Sequence, residues 1–166
     1  MSIPGRSLHC KAMGKNYERL IESPVGPLTL RAEDDALTAI LFGDMRKGLP
    51  GENRVLEQAA AELAGYFEGS RREFTVPVRL MGTDFQQEVW TALCEIPYGA
   101  TATYGDVARR VGRPRACRAV GMANHRNPVP IIVPCHRVIG SGGALTGYGS
   151  GLAVKSYLLA LEKENL

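Results

Sequence analysis

Residues 103–124 read TYGDVARRVGRPRACRAVGMAN, and the punctuation of this stretch decides the fold of the half of the chain around it. Thr103 and Asp106 have the spacing of a capping box, in which side chain and backbone satisfy each other at a helix start. Val107 and Val111 then fall on one helical stripe, and Gly112 breaks the helix. Pro114 suits the first position of a second helix, which the pattern predicts over Arg115 to Ala123. Two short helices joined by a tight glycine turn make a helix-turn-helix pattern. The second helix is rich in alanine and glycine, so its backbone can approach a narrow groove closely, as in minor-groove binders.

Charge supports a polyanion partner. Between Thr101 and Arg126 six arginines (Arg109, Arg110, Arg113, Arg115, Arg118, Arg126) face one acid, Asp106. That segment carries +5 against +3 for the whole chain, which leaves the rest at −2. A solvated face usually balances its signs, and an unbalanced basic patch on a near-neutral body is the footprint of a nucleic-acid contact.

Outward from this motif the chain reads as two domains. Residues 83–93 open with a capping box at Thr83 and Gln86, set Phe85, Val89 and Leu93 on one helical stripe, and must stop before Pro97. After residues 127–134, NPVPIIVP, comes CHRVIG, then SGGALTGYGSG, a loop with five glycines in eleven residues. A last helix, LAVKSYLLALE, puts Val154, Tyr157, Leu158 and Leu161 on its buried face, with Glu162 at the core boundary. Ahead of Gly82, strand-like runs around a Pro-Gly turn precede a helix whose stripe is Val55, Leu56, Ala59, Leu63, Tyr66 and Phe67, closed by Gly69. FTVPVRL then alternates Phe74, Val76, Val78 and Leu80 on one face, and Pro77 on the other argues for an edge strand. The expected division is a flexible extension over 1–16, a small α/β domain over 17–81 and a mainly helical domain over 82–166.

The chain has 166 residues, 45% hydrophobic and 22% charged, which is ordinary for a soluble globular protein. No run has the length of a membrane span and the opening residues lack a signal-peptide core, so a cytoplasmic location is expected. Cys10, Cys94, Cys117 and Cys135 show neither zinc-site spacing nor a disulfide framework, so no metal and no cofactor are expected. His9 and Cys10 lack companion ligands, and Cys94 and Cys117 read as packing residues. Cys135 is different because a histidine follows it. A thiol becomes a strong nucleophile as thiolate, and a neighbouring base or cation lowers the cost of that state. Adjacent residues on a strand point oppositely, so the pair cooperates only if the backbone turns after Pro134.

NPVPIIVPCHRVIG resembles the acceptor signature of the O6-alkylguanine-DNA alkyltransferases, also called methylated-DNA–protein-cysteine methyltransferases. TDFQQEVW, IPYGATATYGDVA, RAVGMANHRNPVP, LTGYGSGLAVK and LLALE stand in that family's order and spacing, over about residues 82–162, and SPVGPLTL resembles the start of its N-terminal domain. The resemblance implies an α+β architecture: a small ribonuclease-H-like α/β domain, then a mainly helical, winged-helix-like domain carrying the helix-turn-helix. It implies direct-reversal repair of double-stranded DNA bearing O6-alkylguanine, with O4-alkylthymine a second lesion it allows. Cys135 would take the alkyl group irreversibly, once per molecule, with His136 as base through a bridging water and Glu162 orienting His136. Asn127 would brace the turn carrying the cysteine, and Tyr104 would donate to the guanine ring.

Arg118 would fill the space of the flipped nucleotide, and Arg115, Ala119, Gly121, Asn124 and Arg126 would lie along the DNA. Backbone carbonyls of Cys135 and Val138 would accept from the exocyclic amine, and Tyr148, Gly149 and Ser150 would form a lid. A monomer is expected, with its mode of binding along DNA left open. His125 and Arg126 depart from the family, where a small residue is common ahead of the asparagine. Three other readings compete: a cysteine hydrolase, which would turn over repeatedly; a lesion-binding relative, which would lack the acceptor thiol; and a plain helix-turn-helix regulator, which would ignore alkylation.

Overall fold

In the computed structural model, residues 14–149 and 151–166 are described, and they divide at Met81–Gly82 into two compact units. The N-terminal unit is a three-stranded antiparallel sheet with one helix. Strands β1 (Asn16–Ile21), β2 (Leu28–Glu33) and β3 (Ala36–Phe42) pair in the order β1-β2-β3. Asn16, expected in the extension, is the first residue of β1. The β1–β2 turn needs Gly26, at φ +97°, and Ser23 supports it by donating its hydroxyl to the Gly26 carbonyl at 2.6 Å. Helix α1 (Arg54–Phe67) starts at Asn53, whose Oδ1 accepts from the Val55 and Leu56 amides, and ends ahead of Gly69 at φ +79°. Its expected stripe is buried from Val55 to Tyr66, with Phe67 half-buried.

FTVPVRL is not a regular strand. Phe74, Val76, Val78 and Leu80 are all buried, so the alternation holds, but the segment makes only one parallel bridge, Leu37 to Val78. Leu37 donates to the Pro77 carbonyl and accepts from the Arg79 amide. Proline has no N–H to extend the ladder. Glu62 anchors the segment instead: this buried carboxylate accepts from the amides of Thr75 and Val76 at 3.0 and 3.1 Å.

The C-terminal unit is mainly helical. Helix α2 (Asp84–Leu93) carries the Thr83–Gln86 capping box, and α3 (Tyr104–Arg110) the Thr103–Asp106 box. Gly112, at φ +76°, ends the α3 turn. Helix α4 is Cys117–His125, two residues later than expected at both ends. Pro114 and Arg115 belong to the turn, and no Ser, Thr, Asp or Asn stands at 114–116 to cap an earlier start. Trp90 of α2, 1% exposed, donates its indole N–H to the Ala123 carbonyl at 2.8 Å and pins the inner side of α4. Two short strands, β4 (Ala102–Thr103) and β5 (Val138–Ile139), pair in parallel. They tie the start of α3 to the chain just past Cys135.

Helix α5 (Leu152–Glu164) buries Leu158 and Leu161, as expected, but also Lys155 and Glu162, both at 0% exposure. Tyr157, expected inside, is 38% exposed. Cys117, read as packing, is exposed in the first turn of α4, and Cys94 is half-buried at the end of α2, where burial pushes its thiol up to about 12. Among the described residues no helix is long and apolar enough to cross a membrane, and no cluster of three His, Cys, Asp or Glu suits a metal ion. His9, Cys10, the rest of residues 1–13 and Ser150 lie outside the described residues.

Candidate active site

The backbone turns after Pro134, which is what a cooperating Cys-His pair requires. Cys135–Arg137 form a single turn of 3₁₀ helix, and all three side chains are buried. The run before it is held in a strained shape. Ile131, a β-branched residue, sits at φ +74°, a conformation costing roughly 1–3 kcal/mol that persists only where the surroundings impose it. The turn is clasped on both sides of Ile131: Asn127 Nδ2 donates to the Val133 carbonyl at 2.8 Å, its Oδ1 accepts from the Val129 amide at 3.0 Å, and the Val133 amide donates to the Val129 carbonyl at 3.0 Å.

The turn aims His136 at α5. Its Nε2 meets Glu162 Oε1 at 2.7 Å, with both side chains at 0% exposure. Arg137, which sequence reasoning gave no role, closes on the same carboxylate. Its Nε and Nη2 donate to Glu162 at 2.9 and 2.8 Å, and its Nη1 donates to the Ile96 carbonyl. The Gly99 amide adds a further donor at 3.2 Å. Burial alone would raise the Glu162 carboxyl, but hydrogen bonds from His136 and Arg137, and their charge, hold it at about 2. Burial lowers His136, against the pull of Glu162. The carboxylate is therefore ionised and the imidazole neutral near pH 7. Nε2–H then donates to Glu162, which makes Nδ1 the basic nitrogen.

Cys135 is 3% exposed, and burial pushes its thiol above the ordinary value. Four influences act against that penalty: hydrogen bonds from the side chains of Asn127 and Tyr148, one from the Cys135 backbone, and the charge of Lys155. Lys155 was another omission, since the expected buried face of α5 was Val154, Tyr157, Leu158 and Leu161. It is buried because its ammonium donates to the Val138 carbonyl and, at 2.9 Å, to the Thr146 carbonyl. Tyr104 also donates to Thr146, at 3.2 Å. The glycine-rich loop is thus tied at Thr146 to α3 and α5, and Tyr148 reaches the thiol. Gly149 is exposed, with His125 alongside: a β-carbon at 149 would lie 3.7 Å from its imidazole.

The expected DNA-facing residues fall into two groups. Arg115, Arg118, Ala119 and Arg126 are exposed. Gly121 is half-buried, where a β-carbon would lie 3.8 Å from the Tyr104 ring. Asn124 does not face outward at all. It is 3% exposed on the inner side of α4, and its Nδ2 donates to the Cys135 carbonyl at 3.3 Å, which corrects its expected place along the DNA. The six arginines also divide. Arg109 pairs with Asp106, Arg110 with Glu95 at 3.4 Å and Arg113 with Glu88 at 3.9 Å, over the Phe85 ring. Among the described residues Arg115, Arg118 and Arg126 have no acidic partner, so their charge is uncompensated.

Comparison with known proteins gives the family. Residues 84–164 match the 6-O-methylguanine DNA methyltransferase DNA-binding domain, and residues 16–80 its ribonuclease-like domain. The methylated-DNA–protein-cysteine methyltransferase of Methanosarcina barkeri is 49% identical over 156 residues, covering 90% of this chain and 99% of its own. That of Mycobacterium leprae is 47% identical, over 96% and 94%. The Mycobacterium tuberculosis OGT solved in complex with DNA superposes with a TM-score of 0.84 at 48% identity, over 90% of this chain and 94% of that one. With both of its units matched and a relative aligned along nearly the whole length, the chain belongs to the 6-O-methylguanine DNA methyltransferase family.

Proposed function

We propose that the chain repairs O6-alkylguanine in double-stranded DNA by moving the alkyl group to Cys135, once per protein molecule. The observation that carries this reading is the buried turn at the acceptor, which places Cys135 and His136 in succession and sets His136 2.7 Å from Glu162. Nucleophile, base and orienting carboxylate are in the right chemical order.

Helix α4 would lie in the minor groove, with Arg118 filling the gap left by the extruded nucleotide and Arg115 and Arg126 on phosphates. Extrusion costs a few kcal/mol, which these contacts offset. The base would enter as the loop over residues 141–151 parts and Tyr148 leaves the thiol, with Gly149 and Ser150 closing above it. Tyr104 would exchange the Thr146 carbonyl for the guanine ring. The Val138 carbonyl accepts from Lys155, and the Cys135 carbonyl already accepts from the Asn124 side chain and the Val138 amide, so the exocyclic amine would share these acceptors or displace the long Asn124 hydrogen bond.

The sulfur then attacks the alkyl carbon opposite the guanine oxygen. The S–C bond forms as the C–O bond breaks, and the electron pair leaves on the purine. The thiol proton passes through a bridging water to His136 Nδ1, the purine takes up one proton, and His136 returns its own to solvent. The thioether offers no ready leaving group, so the protein is consumed. The chain acts as a monomer in the cytoplasm, and O4-alkylthymine falls within the same chemistry.

The test is duplex DNA containing O6-methylguanine. The peptide bearing Cys135 should gain the mass of one methylene, stoichiometrically, and Cys135→Ser should bind the duplex yet gain nothing. An unmodified wild-type peptide beside a persisting lesion refutes the reading.

A further inference from the structure

The end of α4 and the residues just past it grip the acceptor segment at two points. Asn127 donates to the carbonyl of Val133, and Asn124, three residues earlier, donates to the carbonyl of Cys135. These carbonyls are two residues apart and flank Pro134. The Asn124 backbone joins the same grip, since its carbonyl accepts from the Arg126 amide and, at 3.4 Å, from that of Asn127. Asn127 has its place in the family pattern; Asn124 was expected on DNA and is instead turned inward against the nucleophile.

The energetics of Asn124 are unusual for a packing residue. Its side chain is 3% exposed, its one hydrogen bond is long, and its Oδ1 is buried with no partner among the described residues. Reversing the amide would set Oδ1 against the Cys135 carbonyl oxygen, so the orientation is fixed by that carbonyl. A buried acceptor without a donor costs stability, and an apolar side chain of the same shape would relieve that cost. A residue kept at such a cost is a candidate for function rather than packing.

We propose that Asn124 is a positioning residue for the acceptor thiol: by holding the Cys135 carbonyl it sets the aim of Sγ and links the helix proposed to read DNA to the atom proposed to react. The outer side of α4 carries Arg118 and Ala119 while its inner side carries Asn124, so one rigid turn joins the two functions. An in-line displacement tolerates little angular error, which makes the rate sensitive to a carbonyl that drifts. This inference rests on Cys135 being the alkyl acceptor.

Asn124→Leu removes the donor while nearly keeping the shape. Asn124→Asp removes it only where the carboxyl is ionised, since a protonated carboxyl would donate to the same carbonyl, so Asn124→Asp is compared at high pH. Melting temperature, affinity for unmodified duplex, and the single-turnover transfer rate from saturating O6-methylguanine duplex are measured on each. For Asn124→Leu the expected result is a melting temperature equal to or above that of the wild type, duplex affinity within twofold, and transfer at least tenfold slower. Rate should fall without affinity, a split that simple loss of packing does not produce. A folded variant of either kind whose transfer stays within twofold of the wild type overturns the proposal. Loss of the fold in both variants also overturns it, by making Asn124 a structural residue. Wild-type protein that fails to gain a methylene on Cys135 in the same assay refutes the function itself, whatever Asn124 does.

Discussion

His136 Nε2 and Glu162 Oε1 stand 2.7 Å apart, both fully buried, and Arg137 closes on the same carboxylate from the neighbouring position. One carboxylate thus fixes the imidazole tautomer while a guanidinium keeps that carboxylate ionised. Glu162→Gln can still accept from one partner but carries no charge to hold Nε2–H in place. Transfer should slow by about 10²-fold, within the range for a disabled proton acceptor, while duplex binding is unchanged. Glu162→Ala is a harsher change that strands a buried arginine. Breaking a buried pair in this way costs about 3–5 kcal/mol, to be read from urea denaturation.

The same pair should make the fold acid-sensitive in two stages. Burial lowers His136 from its ordinary 6.5, so the unfolded chain takes that proton first. Its contribution is complete above 6.5 and is lost as pH falls below that value. Glu162, held at about 2 against an ordinary 4.5, adds a second loss as pH falls from 4.5 towards 2. Melting temperature should therefore decline below 6.5 and more steeply below 4.5. His136→Gln should abolish the first stage and keep the second. A wild-type melting temperature that does not change between pH 7 and 5 contradicts this account.

What the sequence revealed here followed from how local each signal was. Both capping boxes, the stripe of α1 and the end of α3 depend on residues within four positions of each other, and they appear where expected. The start of α4 was misplaced because Pro114 fits a turn as well as a first helical position. The buried polar groups of the acceptor site were less legible. Lys155 and Arg137 drew no reading from the sequence, because their partners, the Val138 carbonyl and Glu162, are long-range. Asn124 looked like part of an exposed helix because periodicity does not reveal which side meets another segment. Ile131 gave no signal at all, since its positive φ lies inside a turn closed by hydrogen bonds between other residues and not by its own side chain.

Lys155 and Tyr148 both counter the burial penalty on the Cys135 thiol, so removing either should raise its titration. Tyr148→Phe removes a hydrogen bond to sulfur at little cost in shape. Lys155→Met removes the positive charge and also leaves the Val138 and Thr146 carbonyls without that donor, so it should destabilise as well. The pH dependence of iodoacetamide labelling at Cys135 reports the thiolate directly. Both variants should shift that profile towards higher pH and slow alkyl transfer at pH 7. A profile that stays put in both variants would remove these side chains from the account of thiolate formation.

The division among the arginines predicts unequal effects on DNA. Arg115, Arg118 and Arg126 are exposed without acidic partners, whereas Arg109, Arg110 and Arg113 are each paired. A phosphate contact releases counterions, and each one lost should flatten the slope of log affinity against log salt by about one. Arg115→Ala and Arg126→Ala should show that change across many sequences alike. Arg110→Ala and Arg113→Ala should alter the slope less, since their charge is already partly met. Arg118→Ala should differ in kind, slowing transfer from duplex more than transfer from a single strand, where no stack must be opened. Titrations at several salt concentrations separate these outcomes, and equal slopes for all five variants would contradict the assignment.

In the N-terminal unit the carboxylate of Glu62 predicts a loss of stability with no chemical counterpart. It accepts from the Thr75 and Val76 amides and from the Thr75 hydroxyl, holding in place a segment that has only one bridge to the sheet. Burial would raise this carboxyl, but its hydrogen bonds outweigh burial and lower it, so the charged form is the one the fold prefers. Glu62→Ala would leave the buried Val76 amide without an acceptor, at about 1–3 kcal/mol, and the part-buried Thr75 amide at less. Denaturant titration should show that loss. Acid should show it too, because the contribution of Glu62 is present above its ordinary 4.5 and disappears as pH falls below it. Alkyl transfer measured well below the melting temperature should be unchanged, because no group at the acceptor is touched; a transfer rate that falls along with stability would mean that the N-terminal unit takes part in the reaction.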